Sequence, residues 1–104
     1  MKIYDFKKGQ NGFNYVFEKS IPAKNTILLK SPSVASNKRG VNDIGFAYEN
    51  GITLYATISS RPENADTIWQ KINPYDEVNK TTSFIKIENT TDAEKRVNIR
   101  VIMC

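Results

Sequence analysis

Ile52, Leu54, Ala56 and Ile58 fall on alternate positions of one run, with Thr53, Tyr55 and Thr57 between them. Successive side chains of an extended strand point to opposite faces, so this run specifies a strand with one apolar face. The same period recurs along the chain. Phe13, Tyr15 and Phe17 oppose Asn14, Val16 and Glu18; Ser83, Ile85 and Ile87 oppose Phe84, Lys86 and Glu88; Val97, Ile99, Val101 and Met103 oppose Asn98, Arg100 and Ile102. Helical spacing is nearly absent. A one-residue slip would turn each apolar set to solvent, so the pattern fixes a predicted core of Phe17, Ile52, Leu54, Ile85, Ile87, Ile99 and Val101.

Turn signals divide these runs every 8–12 residues. MKIYDF reads as a first strand and KKGQNG as the turn after it. Pro22 interrupts before the short apolar run TILLK at 26–30, and SPSVASNKRGVND at 31–43 reads as a long loop. Asn50-Gly51 separates two strand-like runs and tolerates the positive φ of a tight hairpin turn, so a hairpin is expected there. SRPENAD is a loop, TIWQKI a strand and NPYDEVNK a turn. SFIKIENTTDAEKRVNIRVI reads as a closing hairpin. Together these predict a single all-β domain over residues 1–104, an antiparallel β-sandwich of jelly-roll or immunoglobulin-like type with seven to eight short strands.

Composition narrows the chemistry. Apolar residues make up 39% and charged residues 25%, which suits a soluble globular chain rather than a disordered one. No apolar run approaches the ~20 residues of a membrane-spanning helix. The opening MKIYDFKKGQ has no apolar stretch followed by a small-residue cleavage site, so cytoplasmic synthesis is expected. Histidine is absent, which removes Ser-His-Asp and Cys-His arrangements and the commonest transition-metal ligand. The single cysteine, Cys104, can form no internal disulfide and no multi-thiolate zinc site. The five glycines are scattered through turns and form no phosphate-binding loop. Asp76 and Glu77 are adjacent, so on a strand they would face opposite ways. The sequons at Asn79 and Asn89 read as turns. No catalytic residue, cofactor or metal site is expected.

The aromatics leave two binding readings open. Phe13, Tyr15 and Phe17 beside Lys7, Lys8 and Lys19 could form a stacking platform for single-stranded nucleic acid on a small barrel, or half of the core. Trp69, near Arg61 and Tyr75, could stack on a sugar, or plug the space between two sheets.

From Ala56 to Met103 the chain resembles small virion proteins of tailed bacteriophages. The similar order is a strand ending in ATISSRP, a loop, WQKI, the polar turn YDEVN, and TTSFIKIENTT leading through DAEKR to VNIRVIM. The resemblance implies a small β-sandwich that decorates a capsid or builds a head or tail fibre. It implies a non-enzymatic structural protein made in the host cytoplasm and placed in the virion. Its partners would be capsid or tail subunits, or further copies of the chain, with no membrane, and with nucleic acid the less expected partner. A carbohydrate-binding sandwich module and a single-stranded nucleic-acid-binding barrel are the alternatives.

The net charge of +4 is uneven. Residues 1–40 carry eight lysines and arginines against two acids, a charge of +6, and the remainder carries −2. A basic face toward an acidic partner follows. Lys38 and Arg39, in the long loop, are the candidate partner-binding residues, Arg39 being able to hold a carboxylate with two hydrogen bonds. A Lys38→Glu, Arg39→Glu variant is expected to fold normally and lose partner binding. Unchanged assembly of that variant at low and high salt in sedimentation runs would remove the two residues from any interface.

Overall fold

The computed structural model describes residues 2–9, 14–31, 41–73 and 82–103, with backbone alone at 14, 41–44 and 101–103. Lys38, Arg39, Phe13, Tyr75, Asp76, Glu77, Asn79 and Cys104 lie outside the described residues. The described chain is all-β and has no helix. Its strands are β1 (Ile3–Asp5), β2 (Lys7–Lys8), β3 (Asn14–Ile21), β4 (Thr26–Lys30), β5 (Val41–Tyr48), β6 (Ile52–Thr57), β7 (Gln70–Ile72), β8 (Phe84–Asn89) and β9 (Lys95–Met103). One sheet has the order β1-β4-β8-β6-β7 and the other β2-β3-β9-β5. They form a sandwich-like arrangement around a shared apolar core.

Several sequence expectations change in detail. The expected seven to eight strands are nine among the described residues, because MKIYDF and the following lysines make two short strands joined at Phe6, one in each sheet. Lys7 and Lys8 are therefore strand, not turn. The long loop ends earlier than residue 43, since β5 begins at Val41. Pairing is antiparallel throughout except between β1 and β4, which run parallel with Ile3 opposite Leu28. TIWQKI contributes only its last three residues, as β7.

The two expected hairpins are not hairpins. β5 and β6 flank Asn50-Gly51, yet β5 pairs with β9 while β6 pairs with β7 and β8. Likewise β8 pairs with β4 and β6, and β9 with β3 and β5. Both turns carry the chain from one sheet to the other, as does the link from β3 to β4. The physical reason lies in the faces. Tyr48 and Ile52 both pack on the core, and so do Ile87 and Val97. A two-layer fold can seal both by folding the chain across its open end. Gly51 still does the work of a turn glycine: its φ is +101°, and a Cβ there would collide with the Thr91 methyl.

The core draws on both layers. Phe17, Ile21, Val97 and Ile99 come from the four-stranded sheet, and Ile27, Leu29, Ile52, Leu54, Ile72, Ile85 and Ile87 from the other. Six of the seven predicted core residues are buried; Val101 is placed in β9 by its pairing, and its side chain lies outside the described set. Alternation misses two residues. Leu28 and Phe84 are buried although their neighbours Leu29 and Ile85 take the core face, so both lie on the outer face of the five-stranded sheet.

Asn89 is the polar member of the inward-facing series Ile85, Ile87, Asn89, and it is 1% exposed. Its Nδ2 donates to the carbonyls of Ile21 (2.9 Å), Pro22 (3.1 Å) and Ala93 (2.8 Å), and its Oδ1 accepts from the Thr91 N–H (3.0 Å). Leu54→Ala and Ile99→Ala are expected to cost about 2–4 kcal/mol each through lost burial and the cavity left behind. Asn89→Ala should cost about 1–3 kcal/mol, since it removes the hydrogen bonds of a buried carboxamide rather than apolar surface. Urea melts check all three; variants that unfold at the wild-type midpoint would refute the assignments.

Candidate functional site

β6 leaves its sheet at Thr57, and the chain does not return until β7. The intervening loop is built from short polar residues that bond to one another. The Thr57 hydroxyl accepts from the Ser59 N–H (3.1 Å), and the Ser59 hydroxyl accepts from the Arg61 N–H (3.1 Å). Pro62 follows at the second position of a turn closed by the Asn64 N–H donating to the Arg61 carbonyl (3.2 Å), a place that suits its fixed φ. A second turn closes from the Thr67 N–H to the Asn64 carbonyl (3.1 Å), and the Thr67 hydroxyl donates to the Arg61 carbonyl (2.8 Å). Ser83 anchors the base: its N–H donates to the Thr57 carbonyl (2.8 Å) and its hydroxyl to that of Ile58 (3.1 Å).

This loop, the end of β6 and β7 enclose a cleft of about 750 Å³. The volume lies within the range of small-molecule sites. Arg61, Asp66 and Lys71 bring charge to its lining, and Asn64 and Gln70 bring amides. Among the described residues that line it, Asp66 is the single carboxylate. Among the described residues no three His, Cys, Asp or Glu side chains come together as a metal site.

The apolar members of the lining stand out. Ile58 is 66% and Ile68 78% exposed, and both border the cleft. The sequence pattern placed Ile58 on the same apolar face as Ile52, Leu54 and Ala56. The strand stops at Thr57, and the residue beyond it is turned to solvent. Ile68 fell within the expected strand TIWQKI; the strand begins only at Gln70, and Ile68 lies in the loop before it.

Trp69 neither plugs the space between the sheets nor lines the cleft. Lys86, which alternates with core residues Ile85 and Ile87 and so faces outward, places its ammonium 4.7 Å from the Tyr55 ring centroid and 4.8 Å from that of Trp69. Tyr55 sits opposite both Lys86 and Lys71 in the sheet. The two half-buried rings thus hold a cation between them. Phe17 is buried in the core, in contact range of Tyr4 and Phe6, with ring centroids at 6.1 and 6.3 Å. Its face is closed to a nucleic-acid base. The sequon asparagine Asn89 has its amide nitrogen buried and bonded. Comparison with family models, curated proteins and solved structures finds no match.

Lys86→Ala is expected to cost about 1 kcal/mol, the scale of a cation held against aromatic rings. It should also increase acrylamide quenching of Trp69, the single tryptophan of the chain. Lys86→Arg should retain most of both. Equal quenching in wild type and Lys86→Ala would show that the lysine does not cover the ring.

Proposed function

We propose that the chain is a non-enzymatic structural protein of a bacteriophage virion, a capsid-decoration, head-fibre or tail component. In this reading it acts through protein–protein contacts, as a homo-oligomer or in many copies on a particle. The observation that carries the reading is the pair Ile58 and Ile68, held out to solvent on a loop fastened by its own hydroxyl and turn bonds. Apolar side chains presented together on an ordered rim mark a surface that another protein covers. The surrounding Arg61, Asp66 and Asn64 supply the polar margin usual around such a contact.

The strand order supports a jelly roll over an immunoglobulin-like sandwich. β3-β9-β5 in one sheet faces β4-β8-β6-β7 in the other, and the chain passes between sheets from β3 through β6 and again from β8 to β9. Immunoglobulin-like folds keep more of their consecutive strands together as hairpins within a sheet. Jelly rolls are frequent among viral capsid domains and lectins, so the fold alone does not choose between shell and glycan. Protein is favoured by the described side of the cleft: the rings of Tyr55 and Trp69 clasp Lys86, and among the described residues no aromatic ring lines it.

An Ile58→Ser, Ile68→Ser variant is expected to melt in urea like wild type and to sediment as a monomer where wild type forms a larger species. If wild type is monomeric at every concentration and the variant is incorporated into particles equally well, the proposed contact is wrong. Capsid, portal or tail genes flanking the coding sequence would support the virion assignment, and a metabolic operon would overturn it.

A further inference from the structure

The opposite edge of the five-stranded sheet carries a separate surface. β1 forms that edge, and one residue later β2 forms the edge of the other sheet. The segment therefore closes one side of the sandwich, with Phe6 packed inward on Phe17. Lysines crowd this side. The ammonium groups of Lys2 and Lys19 lie 5.0 and 4.9 Å from the centroid of the same Tyr4 ring. Lys7 and Lys8 follow on β2, both exposed. Among the described residues none of these four has a carboxylate partner. Glu18 is engaged by Arg96 at 2.7 Å, and Asp5 stands opposite Lys30 in the strand register. Two cations drawn to one ring by its quadrupole remain mutually repulsive, and an anion between or beside them relieves that repulsion.

We propose that this edge binds an acidic, extended segment of a protein, added as a further strand beside β1. Three features select a peptide. Ile3, 43% exposed, lies between Lys2 and Tyr4, which suits a segment alternating acidic and apolar residues. The parallel pairing with β4 uses the Lys2 carbonyl, which accepts from the Leu28 N–H at 3.2 Å. Bonded groups alternate along such a ladder, so Ile3 and Asp5 point their backbone N–H and C=O groups away from β4, to the side where a further strand would add. The Tyr4 ring already carries two lysines and packs toward Phe17, so it offers no open face for a base to stack on. The surface is distinct from the Ile58–Ile68 cleft, and the proposal stands whether or not that cleft assembles copies.

The test is fluorescence anisotropy with a labelled peptide alternating Glu and Val, against a labelled DNA duplex of similar charge. The peptide is expected to bind, and its affinity to fall steadily between about 0.01 and 1 M salt, as the screening length drops from about 30 to about 3 Å. A Lys2→Glu, Lys19→Glu variant should lose at least tenfold in affinity while melting normally. Ile3→Pro, which removes one outward donor and spares the bonds to β4, should also weaken binding, and bound peptide should slow amide exchange at Ile3 and Asp5. Tighter binding of the duplex than of the peptide, or unchanged peptide affinity in the double variant, would overturn the proposal.

Discussion

The sandwich is held at one end by the carboxamide of Asn89. A group nearly free of solvent contact must satisfy its hydrogen-bonding capacity internally or cost the molecule its desolvation energy. Here the partners dictate the residue. Carbonyls of Ile21, Pro22 and Ala93 need a donor, and the Thr91 N–H needs an acceptor. A carboxamide supplies both from one planar group; a carboxylate would face three carbonyls with charge, and leucine would supply neither donor nor acceptor. The Asn89 N–H also donates to the Asn25 carbonyl at 2.9 Å. One residue of β8 thereby joins the crossing from β3 to β4 to the crossing from β8 to β9.

The third crossing leans on the same knot. The Thr90 N–H donates to the Gly51 carbonyl at 3.4 Å, and Gly51 lies against Thr91 too closely for any side chain. Lys24 completes the arrangement. Its φ of +57° is a left-handed conformation that costs a residue with a Cβ energy, and it is held by bonds on either side: its N–H to the Thr91 carbonyl at 3.0 Å and its ammonium to the Thr90 carbonyl at 2.8 Å. The nearby Asp92 contact, at 3.5 Å between highly exposed side chains, adds little by comparison.

The strands and their buried faces were legible in the sequence because period two reports side-chain direction directly. Which strands share a sheet was not. Asn50-Gly51 is chemistry for a tight turn, and a tight turn serves a hairpin or a crossing equally well; the difference is made by β9, distant in sequence, pairing with β5. Asn89 gave a faint signal, an asparagine on the same parity as Ile85 and Ile87, which reads as a strand leaving the core unless its partners are known. Of the site, the loop SRPENAD was visible, and the exposure of Ile58 and Ile68 in the runs flanking it was not. Placing Ile58 on the apolar face with Ile52 and Leu54 extended a pattern one residue past the end of its strand. The cage around Lys86 needs register across β6, β7 and β8, and no single run of sequence contains it.

The two ends of β6 divide the labour of the molecule. Ile52 opposes Asn89 at the knotted end, and Thr57 opposes Phe84 at the other, about 17 Å away at the rise of a strand. At the first end three crossings share partners, so a change in any one disturbs the others and the geometry tolerates little variation. At the second end the loop bonds to itself: Thr57, Ser59, Arg61 and Thr67 bond to one another, and Ser83 ties the base of the loop to β8. A loop fastened internally can change its exposed side chains without unsettling the core, which is the physical condition for placing a recognition surface there. Ile58 and Ile68 occupy a region where the fold can present apolar surface at little cost to its own stability.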